Sequence, residues 1–345
     1  MPSITRMRVA LCALALTSCP AAAAPFNSCG SGVCFSGNIN HNAILQRAPE
    51  RSAVYGSVNT ASPAGAQVVV TLAGTAADGS AYSKDFPAAV NADSTYKALL
   101  DAMPAWGNFT ITATCSACAG SPLSVSVVGV TFGDVYLSSG QSNMELALYN
   151  TFERNISLAN VRSGKYANIR VLHGGYQGLP PNQDGNWILQ PGPNVTNCSQ
   201  TGLADGMWCS GLELAQHDDN SDGRSAFFNV RAVPWYFAEK LTDLFLSDGG
   251  VPPPPIGLVF NPVGGTMVEQ WTPFEDQLSC ASIACMCTSS GCNGSQPLNP
   301  NNQSACSRNG ELWRGQQQPF VNMTLKGFLW YQQVQLDRRS PHPGA

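Results

Sequence analysis

Residues 133–144 read Gly133-Asp134-Val135-Tyr136-Leu137-Ser138-Ser139-Gly140-Gln141-Ser142-Asn143-Met144. A short apolar run ends at Leu137, a Ser-Ser-Gly turn follows, and Asn143-Met144-Glu145-Leu146 continues with helix-compatible residues. This is the pattern of a strand that hands a serine to the start of a helix. A serine so placed has an exposed hydroxyl near the positive end of a helix, where developing negative charge is stabilised. The same residues also suit a plain turn, because Gly, Ser and Asn all favour turns.

The rest of the chain supplies context. It has 345 residues, room for two domains, and is 43% hydrophobic, enough for a sizeable core. Only 12% of residues are charged, about half the usual share of a soluble domain, and the net charge is -4. No basic footprint for nucleic acid exists. At the N-terminus, Arg6 and Arg8 precede the apolar run Val9–Leu16, and Ala21–Ala24 offers small residues for cleavage. Residues 1–24 therefore read as a secretory signal peptide, with the mature chain starting near Ala24 or Pro25. No later apolar run is long enough to span a bilayer. Asn108, Asn155, Asn194, Asn197, Asn293, Asn302 and Asn322 each begin an Asn-x-Ser/Thr sequon. With a signal peptide they point to a glycosylated protein that is secreted or held in the secretory or lysosomal lumen.

Of 13 cysteines, Cys12 and Cys19 lie in the signal segment, which leaves an odd eleven. Cys115-Ser116-Ala117-Cys118 has C-x-x-C spacing, and Cys280, Cys285, Cys287, Cys292 and Cys306 crowd a second region. A zinc site is the alternative, but secretory signals favour disulfides.

Residues 25–131 carry strand signals. Val68–Leu72 and Phe109–Thr114 are rich in β-branched residues, Ser124–Val130 mixes Ser with Val, and turn residues such as Asp78-Gly79 punctuate them. The expectation is a small antiparallel β-domain, a β-sandwich. From residue 132 to 332 the pattern becomes α/β. Val135–Leu137, Ile169–Leu172, Ile256–Phe260 and Phe328–Tyr331 read as short buried strands. Pro234 opens a helix, and Phe237, Leu241 and Leu244 form a stripe at helical spacing, expected to pack on the core. Residues 174–223 read as a long polar loop, and residues 277–315 as a Cys-, Ser- and Asn-rich insertion.

The 133–144 block resembles the nucleophile block, GDVWxxxGQSNM, of the sialate O-acetylesterase group within the SGNH hydrolases. Asn261-Pro262-Val263-Gly264-Gly265-Thr266-Met267-Val268-Glu269-Gln270-Trp271 resembles that group's N-x-x-x-G-G-T-x-x-E-x-W. Gly327-Phe328-Leu329-Trp330-Tyr331-Gln332 resembles the start of its G-x-x-W-Y-Q-G-E-S-N. Phe35-Ser36, Ile44–Arg47 and Val54–Gly56 resemble the group's opening blocks, so the resemblance runs from residue 35 to residue 332.

The resemblance implies an SGNH-type, flavodoxin-like three-layer α/β sandwich with a parallel sheet, incomplete at the C-terminus and preceded by the β-domain. It implies a serine esterase removing O-acetyl groups from sugars, with no cofactor and no metal. Acyl transfer needs a nucleophile, a base and oxyanion donors. Ser142 would be the nucleophile. Gly264 or Gly265, whose N–H can approach a ligand closely, and the Gln332 amide would be donors, each worth roughly 3 kcal/mol of barrier. Asn143, Glu269 and Trp271 would hold turn and loop. An acetylated sugar or glycan is the expected partner. A non-catalytic glycan-binding homologue and an acetylxylan-type polysaccharide esterase are the competing readings.

The pattern also calls for a C-terminal Asp-x-His, in which histidine activates the serine. None of His41, His173, His217 and His342 has that spacing. The family pattern breaks after Gln332, where Gln333-Val334-Gln335-Leu336-Asp337 replaces Gly-Glu-Ser-Asn, and residues 333–345 form a polar tail without a core pattern. Valine codons begin with GT, the dinucleotide that opens most introns. The tail is therefore expected to be a translated intron or frameshift near Gln333 or Val334. Sequencing the transcript across the Trp330 codon tests this, and an uninterrupted message ending at Ala345 overturns it.

Overall fold

The computed structural model describes residues 29–60, 65–173, 198, 207–217, 225–249, 252–279 and 309–332. The expected signal peptide, the tail from residue 333, the bulk of the 174–223 segment and most of the cysteine-rich insertion lie outside the described residues, as do Asn194, Asn197, Asn293, Asn302 and His342.

The fold is α/β with a mixed sheet. Strands β1 (Val33–Phe35), β2 (Ile44–Gln46), β3 (Ala53–Val58), β4 (Gln67–Thr75), β5 (Ala81–Ala89), β6 (Thr95–Leu99) and β7 (Trp106–Thr114) precede the longest element, β8 (Ser124–Gly140). Then follow α1 (Ser142–Glu145), α2 (Arg154–Arg162), β9 (Ile169–His173), β10 (Trp208–Ser210), α3 (Gly211–Gln216), α4 (Ala232–Ser247), β11 (Ile256–Phe260), α5 (Phe274–Gln277) and β12 (Gly327–Tyr331).

Strands β1, β3 and β6 form an antiparallel sheet. The larger sheet has the order β10-β9-β11-β8-β7-β4-β5, with β2 and β12 also pairing β8. Along β4 the side chains of Val68, Val70 and Leu72 are buried while Val69 and Thr71 are less so, the period of a strand with one covered face. Phe109, Ile111 and Ala113 repeat this on β7. Those residues share one hydrophobic cluster with Val54, Tyr96 and Ala98 of the smaller sheet.

Strand β8 does two jobs. Its first half pairs antiparallel with β7, where one extra residue near Gly129 (φ 71°) shifts the register between Phe109 and Ile111. Its second half pairs in parallel with β2, β11 and β12. The expected boundary at 131/132 thus falls inside one continuous strand. Strand β8 also runs on through Ser138-Ser139-Gly140, which the sequence suggested as a turn. Phe260, Gly140 and Tyr331 bring three parallel strands to one carboxyl edge, where open α/β sheets bind ligands.

Two packing expectations change. On α4 the buried face is Ala232, Trp235, Ala238 and Thr242, whereas Leu244 is 49% exposed. Small residues let the helix lie close to β11, and Trp235 packs edge-on to Phe227 at 4.8 Å. Of the expected stripe, Leu241 packs against the core while Leu244 does not, and the fully buried positions are mostly small residues that a pattern weighted to large side chains passes over. Phe237 meets Tyr136 of β8 instead, at 5.0 Å. Pro234 is the third residue of α4, still within the first turn, where a missing N–H costs no helical bond. Strand β12, expected to be buried, leaves Phe328, Trp330 and Tyr331 exposed. Among the described residues it pairs only with β8.

The 174–223 segment is not all loop. It contributes β10 and α3, joined by a capping box in which Ser210 accepts from the N–H of Glu213 and Glu213 accepts from the N–H of Ser210. Cys198–Cys209 anchors this piece, and Cys29–Cys34 and Cys115–Cys118 are likewise disulfides. The C-x-x-C pair is therefore a cross-link, with no thiolate left for a metal.

In the middle of β8, Asp134 is 2% exposed and meets Arg47 in a two-pronged ion pair, with both N···O distances 2.9 Å. Hydrogen bonding to Asp134 raises the Arg47 pKa above its ordinary value. Arg47 is partly exposed, but Asp134 is not, so removing Arg47 leaves a stranded buried charge. Arg47→Met is expected to lower the unfolding free energy by about 3 kcal/mol, as read by urea titration, and Arg47→Met with Asp134→Leu to recover much of that loss.

Candidate active site

Ser142 opens α1 directly after β8 and Gln141, and its side chain is exposed. At four residues α1 is a single turn, so it offers individual N–H groups rather than a helix macrodipole. The N–H of Ser142 and its hydroxyl bond no described residue. The turn is set by the N–H groups of Met144 and Glu145, which both donate to Gln141 O. Asn143 is exposed, and its side chain bonds no described residue.

The glycine turn is carried to this serine by β11. Beyond Phe260 the chain keeps pairing with the end of β8. Asn261 N–H donates to Ser138 O at 3.0 Å, and Val263 N–H donates to Gly140 O at 2.9 Å. Gly264 then lies against α1: a Cβ added to it would sit 3.7 Å from Ser142 Cα and 2.5 Å from Glu145 Oε2. Only glycine fits. Gly265 is exposed, adopts φ 72°, and has nothing within 4 Å of an added Cβ. Gly264 thus adjoins Ser142, Gly265 is the next residue of that turn, and Gln332 Nε2 donates to Thr266 O of the same loop at 3.1 Å. The Gln332 Oε1 is buried and bonds no described residue.

One donor is already engaged. Gly264 N–H gives its hydrogen to Glu145 Oε2 at 2.7 Å. An oxyanion using that N–H would first have to displace a carboxylate. From the sequence, Glu145 shows only as a helix-compatible residue.

The loop behind the glycines is fastened by side chains. Trp271 is 4% exposed, donates from Nε1 to Thr266 Oγ1 at 2.9 Å, and packs edge-on to Trp330 at 5.2 Å. Thr266 Oγ1 in turn donates to Val263 O at 2.7 Å. Glu269 contributes its carbonyl, which accepts from Gly310 N–H and from the Gln277 amide. Its carboxylate bonds no described residue. The neighbouring Gln270 makes the side-chain contacts, accepting from Met267 N–H at 2.8 Å and donating to Glu311. Beneath the site, Gln317 Nε2 donates to Ser139 Oγ at 3.0 Å, and Asn261 Nδ2 donates to Gln316 O. Gln270, Gln316 and Gln317 carried no sequence signal beyond being polar.

Among the described histidines, none bonds Ser142. His41 Nδ1 accepts from Val128 N–H at 3.1 Å, and His217 is half-buried at the end of α3. His173 is buried at the carboxyl end of β9, and its Nε2 lies 3.2 Å from an Arg231 N–H. A guanidinium only donates, so that lone pair of His173 is used. Arg231 also donates to Glu145 O at 2.8 Å, tying β9 to α1.

No family model matches the chain. Sialate O-acetylesterases of Pongo abelii and Homo sapiens are each 28% identical over 306 residues, which is 88% of this chain and 49% of theirs. The Rattus norvegicus sialate O-acetylesterase is 25% identical over 322 residues. The chain spans about half the length of the curated relatives it matches. A carbohydrate acetylesterase from Xanthomonas citri, known from its crystal structure, shares the fold with a TM-score of 0.50 at 19% identity, over 87% of this chain and 51% of that one.

The Trp271 anchor makes two contributions that substitution separates. Trp271→Phe keeps the ring contact and drops the bond to Thr266, and is expected to cost about 1 kcal/mol of stability. Trp271→Ala is expected to cost about 3–5 kcal/mol, both by chemical unfolding.

Proposed function

We propose that this chain carries the nucleophile and oxyanion side of a carbohydrate O-acetylesterase with an SGNH-type arrangement. The parallel set β9, β11, β8 and β12 would be its central sheet, and the N-terminal strands an accessory β-sandwich. The observation that carries the reading is the contact of the Gly264 turn with the Ser142 turn: a Cβ on Gly264 would lie 3.7 Å from Ser142 Cα, and its N–H bonds Glu145 Oε2 at 2.7 Å. Glycine N–H groups at an exposed serine are what a tetrahedral acyl intermediate requires. The sialate O-acetylesterase relatives support acetylated sugars as the substrate class.

The chemistry would run through an acetyl-enzyme. Ser142 Oγ attacks the acetyl carbonyl carbon while its proton passes to a base. The carbonyl oxygen carries the negative charge beside the N–H groups of Ser142 and the glycine turn. Collapse of the intermediate breaks the bond to the sugar oxygen, which leaves with a proton. Water then repeats the attack and releases acetate. No described histidine bonds Ser142, and the sequence has no Asp-x-His, so turnover by this chain is expected to be weak. That observation also favours a second reading, a glycan-binding homologue with the cleft but without the reaction.

The reading places the protein in the secretory route as a glycoprotein. Asn108, Asn155 and Asn322, the described sequon asparagines, are all exposed. No helix among the described residues is long and apolar enough to cross a membrane.

Hydrolysis of p-nitrophenyl acetate, O-acetylated sialic acids and acetylated xylan by the chain and by Ser142→Ala tests the proposal. The expected result is slow turnover that Ser142→Ala abolishes, with a preference among the two glycan types that identifies the substrate. Binding of an acetylated glycan with no Ser142-dependent acetate release overturns the esterase reading in favour of the binding one.

A further inference from the structure

Glu145 is the group at the site that the acyl-transfer reading leaves without a task. It is the last residue of α1, three positions after Ser142, so it stands on the same side of that single turn. Its backbone carbonyl is held by Arg231 at 2.8 Å, and its Oε2 accepts from Gly264 N–H at 2.7 Å. A hydrogen bond with an ionised acceptor is among the stronger kinds. The nucleophile turn and the glycine turn are therefore joined by a direct side-chain link across 119 residues of sequence. An amide has one hydrogen, and that of Gly264 is spent on this link. The adjacent Gly265 N–H bonds no described residue, and the space beside its Cα is open.

We propose that Glu145 is a positioning residue: its carboxylate takes the Gly264 N–H, locks the glycine turn against the Ser142 helix, and leaves Gly265 N–H as the turn's open oxyanion donor. This rests on the esterase reading and refines which glycine serves it. The lock needs an acceptor at that point rather than a charge, so a glutamine, whose Oε1 also accepts, preserves it. A leucine of similar size does not.

Phenylboronic acid probes this without requiring turnover. Its trigonal boron takes Ser142 Oγ as a fourth ligand, forming a B–O bond while the hydroxyl proton goes to solvent, and the resulting tetrahedral anion mimics the acyl intermediate. Affinity is measured for the parent chain, Glu145→Gln, Glu145→Leu and Ser142→Ala, beside kcat and KM for p-nitrophenyl acetate. Glu145→Leu is expected to weaken boronate binding about tenfold or more and to lower kcat in step with little change in KM, as loss of a transition-state donor does. Glu145→Gln is expected to stay near the parent. Boronate binding to Glu145→Leu as tight as the parent's, or tighter, overturns the proposal, since the carboxylate would then be a plug. A glutamine variant as impaired as the leucine variant also overturns it.

Failure of the esterase reading looks different: Ser142→Ala would bind boronate like the parent. The lock is then read from the Gly264 amide in spectra of glycine-15N protein. Loss of its downfield shift in Glu145→Leu but not in Glu145→Gln supports it, and an unchanged amide in both overturns it.

Discussion

Burial of Asp134 in the middle of β8 is the constraint on which the two halves of the molecule depend. The carboxylate lies where β8 stops pairing with β7 and starts pairing with β11. Left alone there it would cost several kcal/mol. Arg47, delivered by the end of β2, meets it with two hydrogen bonds, and Gln46 closes the same corner by accepting from Val135 N–H at 3.0 Å. An ion pair of this kind gives little net stability compared with apolar packing, but it is selective. Only one register of β2 along β8 brings Arg47 to Asp134. The pair therefore fixes how the N-terminal strands are seated on the strand that ends at Ser142.

From that corner the site follows by backbone pairing. Parallel pairing sets Val259 beside Leu137 and Phe260 beside Ser138, and the bonds of Asn261 and Val263 extend the register past the strand ends. Gly264 reaches α1 as a consequence of where β11 is docked. Strand β12 arrives on the other side of β8, with Tyr331 beside Gly140, and so presents Gln332 to the same loop. Three sequence-distant pieces converge because each is hydrogen-bonded to one strand.

The residues most legible in the sequence are those whose chemistry is local. Ile256–Phe260 reads as a buried parallel strand because a short apolar run after four prolines is too brief for a buried helix, and it is one. Ser142 is legible as the residue between a strand end and a helix start, although Ser138-Ser139-Gly140 belongs to the strand. Ser210 and Glu213 show an N-cap pattern three residues apart that could have located α3 inside a segment read as loop. What is not legible depends on contacts between distant elements. The close seat of α4 comes from Ala232, Ala238 and Thr242, whose small size signals nothing until a sheet lies beneath them. Gln270 rather than Glu269 supplies the side-chain bonds of the glycine loop, a difference of one residue that only the turn's direction decides. Glu145 looked like an ordinary helix former, because its partner Gly264 lies far along the chain.

On the esterase reading, the arrangement also separates placing the proposed nucleophile from activating it. Placement uses backbone pairing, a glycine whose N–H bonds Glu145, and a hydrogen-bonded network of Ser139, Asn261 and Gln317. All of these belong to strands and loops before residue 333. Activation needs a proton acceptor with a free lone pair at the serine. The buried His173 cannot supply it through Nε2, because Arg231 holds that atom, and Arg231 is itself held by the carbonyl of Glu145. Freeing His173 would release Arg231 from one end of the link that orients α1. The imidazole is thus used to keep the Ser142 turn in place, and on the esterase reading the group that takes the serine proton is not His173 Nε2.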